Sequence, residues 1–117
     1  MPRNMSFALT IPQFIARTKT VTRRLGWKFL KPGELVWGVE KAMGLKKGEK
    51  IKWLGLIRIV SNKPEQLYTI SHNDVVREGF PKMSRIEFID FFCAHNRCDP
   101  GVVVQRILFE YVENENE

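Results

Sequence analysis

Sulfur is scarce in this chain, histidine scarcer in effect, and no apolar run is long. The 117 residues hold two cysteines, Cys93 and Cys98, and nothing marks a secretory context, so both read as reduced thiols of a cytoplasmic protein. A chain of this length removes roughly two-thirds of its unfolded surface from water on folding, so neither a disulfide nor a structural metal is required. A structural zinc needs four ligands. The segment Cys93-Ala94-His95-Asn96-Arg97-Cys98 offers three, and His72 is the one further histidine, so no metal and no cofactor is expected. No stretch approaches the ~20 apolar residues of a membrane span, and the apolar run after Met1-Pro2-Arg3-Asn4 is too short for a signal peptide. A soluble protein without a membrane partner is expected. No repeat or linker interrupts the sequence, which reads as one domain over residues 1–112 followed by an acidic, disordered tail over 113–117.

Acidic residues are missing from one place in particular. The fifteen positions 17–31 contain no Asp or Glu but carry Arg17, Lys19, Arg23, Arg24, Lys28 and Lys31. The net charge is +6, and without the three tail glutamates it is +9. Such a body attracts nucleic acid or another polyanion. The same stretch holds the hydroxyls of Thr18, Thr20 and Thr22, and it places Trp27 and Phe29 between basic residues, an arrangement that suits phosphate contacts and base stacking. The alternative for that loop is a solvated basic segment whose aromatics cover the end of the fold.

Strand patterns outnumber helical ones. Residues 6–9, 20–22, 34–40, 51–60, 67–70 and 102–112 read as strands by alternation and β-branched content. Trp37 and Trp53 fall inside two of them and are expected in the core. Asn62-Lys63-Pro64 reads as a turn. A capping box at Thr10 and Gln13 predicts a short helix packed through Ile11, Phe14 and Ile15. Two further helices start at Ser71 and Ser84. The first ends at Gly79, and the second buries Ile86, Ile89, Phe92 and Cys93 by helical spacing. The sum is an α+β domain, a small curved sheet or partly closed β-barrel with two or three short peripheral helices.

Against that background the chain resembles the ASCH domains, whose barrel is similar to the RNA-binding PUA domains. The resemblance lies in Lys19-Thr20-Val21-Thr22-Arg23-Arg24, in the Pro32-Gly33-Glu34 turn into a strand, and in Glu78-Gly79-Phe80 ahead of a helix containing Glu87-Phe88. It implies a PUA-like barrel and a cleft for RNA or nucleotide-like ligands. For some small bacterial members it implies an amidohydrolase of 4-acetylcytidine, for others a ribonuclease. Carried over, the catalytic set is Lys19, Thr22 and Glu78, with Arg24 binding an anion. The chain departs from the pattern at Arg17, where the family often has glycine.

Two classes of function therefore stand side by side. In the first, the domain binds RNA or a nucleotide through Arg17, Thr20, Arg23, Arg24, Trp27, Lys28 and Lys31 around the Lys19–Arg24 signature, with Arg23 and the following loop extending the outer surface. In the second, it deacylates a modified nucleoside of the 4-acetylcytidine type, Lys19 deprotonating Thr22 for attack and Glu78 assisting. A protein-interaction module using the basic face is a third reading. Strand alternation puts Thr20, Thr22 and Arg24 on one face and Lys19 on the other. For Lys19 and Thr22 to converge, Lys19 must sit in a turn before the strand, or a bulge must intervene. Glu78 stands at a helix C-terminus, where the dipole disfavours a carboxylate by a few tenths of a kcal/mol, so a pairing with Lys19 or Arg24 is expected there.

Overall fold

In a computed structural model, residues 2–113 are described; four of the five acidic-tail positions lie outside them. Five strands form one mixed sheet in the order β1-β3-β4-β5-β2, where β1 is Arg3–Ser6, β2 Val21–Arg24, β3 Leu35–Val39, β4 Trp53–Gln66 and β5 Val103–Tyr111. Only the β1–β3 pair is parallel. The sheet curls into a half-barrel with three short helices, α1 Ile11–Ile15, α2 His72–Arg77 and α3 Arg85–Asn96, the expected α+β arrangement of a small curved sheet with short peripheral helices. No helix among the described residues is long and apolar enough to cross a membrane.

Two clusters hold the domain together. Met5, Phe7, Phe14, Ile57, Ile107 and Phe109 fill the hollow of the sheet. Leu67, Val75, Phe88, Ile89, Phe92 and Val104 join α2 and α3 to the far end of β4 and β5. Phe14 lies where Gly38 and Gly55 face each other across β3 and β4. A Cβ at Gly38 would stand 2.4 Å from Phe14 Cζ and 2.6 Å from Cε2. Gly38→Ala should therefore overpack the core and cost about 1–3 kcal/mol, read as a lower midpoint in urea denaturation at unchanged slope. An unshifted midpoint would show that Phe14 has room to retreat.

Several local expectations are corrected. The first strand is Arg3–Ser6 rather than 6–9, because the backbone pairs alongside β3 from Arg3 opposite Val36 to Ser6 opposite Val39. Thr10 makes no side-chain cap, and Gln13 Nε2 instead donates to the Gly79 carbonyl at 3.2 Å. Asn62-Lys63-Pro64 does not turn. β4 runs straight through it, paired with β5 from Ser61 to Gln66, while β3 has already ended its pairing at Arg58. Among the described residues that half of β4 has no strand partner on its other side, so the missing N–H of Pro64 breaks no ladder. Residues 67–69 form a 3-10 turn rather than a strand. On α3 the buried residues are Phe88, Ile89 and Phe92, and Ile86 is 67% exposed.

The tryptophans are the largest departure from the expected core. Gly38 pairs with Gly55 but Val39 pairs with Trp53, so Leu54 is an additional residue, a β-bulge. The bulge reverses the alternation beyond it. Leu54 packs on the core, and Trp53 comes round to the face of Trp37, with ring centroids 5.2 Å apart. Trp53 is 55% exposed.

A buried ion cluster at the open edge of the sheet

β2 is an edge strand, and the segment that leaves β1 lies across a gap from it. α3 closes the third side. The half-open cavity between them, about 290 Å³, is lined by Lys19, Thr22, Arg23, Arg24 and Glu78 together with Phe7, Phe80, Phe88, Phe91 and His95.

Lys19 is placed by its backbone. It lies ahead of β2, the first of the two placements that would let it approach Thr22. Thr18 N donates to Gln13 O, Thr20 N to Arg77 O at 2.8 Å, and the Tyr111 hydroxyl to the carbonyl of Lys19. Arg17, the position at which the chain departs from the ASCH pattern, takes a left-handed φ of 62°. That is glycine's natural conformation. Its guanidinium pairs with Glu113 and lies over the Tyr111 ring.

Helix α2 brings the carboxylates. Ser71 caps it through the Asp74 N–H, Glu78 is its C-cap, and Gly79 follows at φ 106°. A Cβ at Gly79 would meet Gln13 at 2.8 Å, so glycine is needed there for space as well as for φ. Lys19 Nζ donates to Glu78 Oε1 and to the Glu78 carbonyl, both at 2.8 Å, with both side chains 4% exposed. The pairing expected for Glu78 is thus made by Lys19. Its second partner is Arg23, Nη1 to Oε2 at 3.2 Å, and not Arg24.

Arg23 does not extend the outer surface. It is 4% exposed and bonded to three carboxylates: Glu65 (2.7 and 2.9 Å), Asp74 (2.5 Å) and Glu78. The straight run of β4 through Pro64 is what presents Glu65. Arg23 also sits opposite Arg106 in the β2–β5 register. Like charges directly opposed destabilise a sheet, but Asp74 bridges them, accepting from Arg106 Nε at 2.6 Å and Nη2 at 3.1 Å. Three cations, Lys19, Arg23 and Arg106, thus meet three carboxylates, Glu65, Asp74 and Glu78.

Arg24 stands outside this balance. Its Nε donates to Thr22 Oγ1 at 3.1 Å, its guanidinium lies 4.8 Å over the Phe7 ring, and among the described residues it has no salt bridge. Burial pushes its pKa down to about 10 against the pull of Glu78, so it remains a cation at neutral pH. Burial likewise lowers the pKa of Lys19, and the neighbouring Glu78 only partly offsets it.

The remaining sequence candidates lie elsewhere. Thr20 contributes backbone bonds to Arg77 and Phe109. Trp27 is half-buried against the sheet core and, with Leu30, is pinned by Asn62 Nδ2. Lys28 and Lys31 are exposed on the same loop. No hydrogen bond joins Lys19 to Thr22 among the described residues, although both line the cavity. What sequence reasoning missed is the aromatic wall. The i, i+3, i+7 spacing of Phe88, Phe91 and His95 was its only local signal, and it was masked by the adjoining core positions Ile89 and Phe92.

By sequence, no family model and no curated protein matches the chain. By structure it is similar to a protein from Enterococcus faecalis V583 described as DUF984, with TM-score 0.65 and 16% identity over 96% of this chain and 80% of that one. It is also similar to an ASCH domain from Lactobacillus crispatus JV V101, with TM-score 0.62 and 15% identity over 93% and 78% of the two chains. The curled sheet with its docked helices thus has the fold of an ASCH domain.

Proposed function

We propose that the cavity binds the nucleotide unit of a free nucleotide or of RNA, with the base against the aromatic wall and an anionic group on Arg24. The observation that carries this is the unbalanced charge. Lys19 and Arg23 are neutralised by carboxylates, so Arg24 is the cation left for a ligand. The volume, about 290 Å³, lies at the small end for ligand sites and suits one nucleotide unit rather than a strand. A lining that combines aromatic rings with polar and charged groups suits a planar base with a hydrogen-bonding edge. The ASCH fold and the ligands the resemblance implies agree with this reading.

Calorimetric titration with cytidine and cytidine monophosphate tests it. The monophosphate should bind about tenfold or more tighter, as one charge-assisted contact in a partly buried site requires, and Arg24→Met should erase that difference. Equal affinity for the two ligands, or a difference that persists in Arg24→Met, would overturn the assignment of Arg24. No binding of either ligand, or of a short RNA, would overturn the whole reading.

A second reading, amide hydrolysis, has its own support: Lys19 has a lowered pKa and shares the cavity with the Thr22 hydroxyl. Neutral Lys19 would take the Thr22 proton as Oγ attacks the acyl carbon, then pass it to the departing exocyclic amine. Water would afterwards release the acid from Thr22. Lys19 would have to swing from Glu78 to Thr22 for the first step. Incubation with 4-acetylcytidine decides it: cytidine should appear with the wild type and not with Thr22→Val, whereas absence of product from the wild type sinks the hydrolase.

A further inference from the structure

A second feature, none of whose residues lines the cavity, stands at the hairpin end of β3 and β4. The bulge at Leu54 turns Trp53 outward beside Trp37, the two rings meeting edge to face at 68° with centroids 5.2 Å apart. Burying a tryptophan in a core is strongly favourable, so a ring left 55% exposed against a second one is an unfilled aromatic platform. The connection just beyond it, residues 40–52, carries five lysines against Glu40 and Glu49. Glu49 is taken up by Lys41 at 3.6 Å and by the Lys46 N–H at 2.8 Å. Lys46, Lys47, Lys50 and Lys52 are exposed and form no salt bridge among the described residues. Lys52 is tied to the platform itself, its carbonyl accepting from Glu40 N at 3.0 Å where the ladder ends.

We infer that Trp37 and Trp53, with Lys46, Lys47, Lys50 and Lys52, form a binding surface for single-stranded nucleic acid. A base stacks on the exposed face of Trp53, and the lysines meet the backbone phosphates. Aromatic rings beside a basic track are what sequence-tolerant single-strand binding needs, because every unpaired base offers a π face. The make-up of the connection favours this ligand over a lipid surface: it exposes four lysines, two of them in the turn closed by Glu49 N to Lys46 O at 2.9 Å, against one exposed large apolar side chain, Met43.

Fluorescence anisotropy of a labelled short oligouridine, repeated over a series of salt concentrations, tests the surface. Trp53→Ala should weaken binding about tenfold, the loss of one stacked base. The double variant Lys46→Glu/Lys47→Glu, altered only at exposed positions, should weaken it too and lower the salt slope by about 1.4, two phosphate contacts at ~0.7 each. Circular dichroism and cytidine monophosphate titration should match the wild type for both variants, which separates this surface from the cavity. Oligouridine binding unchanged in both variants overturns the inference, as does equal affinity for a blunt RNA duplex. Binding to phosphatidylserine vesicles that oligouridine does not displace overturns it in favour of a membrane surface.

Discussion

Glu78→Ala is expected to cost about 3–5 kcal/mol, the usual penalty for removing one partner of a buried charge pair. The loss falls mainly on Lys19. Arg23 keeps Glu65 and Asp74, whereas Lys19 keeps only the carbonyl of residue 78. A buried ammonium in that position sheds its proton more readily, so its pKa should fall further than burial already takes it. The sign of the pH effect follows. The unfolded chain then binds the proton that the folded chain has lost, and stability rises with pH from the lowered folded pKa of Lys19 up to its ordinary value near 10.5. Urea denaturation at several alkaline pH values reads both effects. Lys19→Met/Glu78→Leu should regain much of the loss, because a buried pair can be exchanged for apolar side chains at little net cost. A loss below about 1 kcal/mol in Glu78→Ala would mean that water reaches the pair.

Acid should weaken the fold through Asp74. Burial works against its ionisation, but hydrogen bonds from Arg106 and Arg23 outweigh it and bring the pKa from 3.8 down to about 2. A depressed carboxylate contributes stability that is present above its unfolded pKa and is lost as pH falls through the folded one. The window is therefore from about 4 down to about 2, and the amount about 2 kcal/mol. Asp74→Asn should be less stable by at least that amount at neutral pH, since Arg23 and Arg106 then face each other across β2 and β5 with less between them. It should also show a flatter stability profile across that window. A wild-type profile already flat between pH 4 and 2 would remove Asp74 from this role.

Much of the candidate site was legible in the sequence because it depends on local chemistry. The serine caps at Ser71 and Ser84 fix where α2 and α3 begin, and both form as their spacing predicts. Gly79 takes the positive φ expected of a helix end. The placement of Glu78 against the helix dipole pointed to a cation, and Lys19 supplies it. Convergence of Lys19 with Thr22 called for a turn before the strand or for a bulge; Lys19 does precede the strand, but among the described residues its ammonium bonds Glu78 and not Thr22. For the caps and the glycine the determining residues lie within a few positions of one another; for Glu78 the local sequence indicated that a cation is needed, but not which one supplies it.

Other features were decided by partners distant in sequence. Arg23 looks like any other residue of a basic surface segment; it is buried because α2 and β4 bring Asp74, Glu78 and Glu65 around it. Pro64 resembles a turn until β3 is seen to stop at Arg58, leaving that side of β4 unpaired. Trp53 alternates as a core residue until a single bulge at Leu54 shifts its phase. Composition and short-range pattern alone determined the α+β class, the starts of α2 and α3 and the basic, hydroxyl-rich signature. Which cations are neutralised and which one is left to a ligand depended on contacts spanning more than forty residues between Arg23 and Glu65 and nearly sixty between Lys19 and Glu78. Charge compensation is a property of distance in space, and only the curled sheet with its docked helices sets those distances.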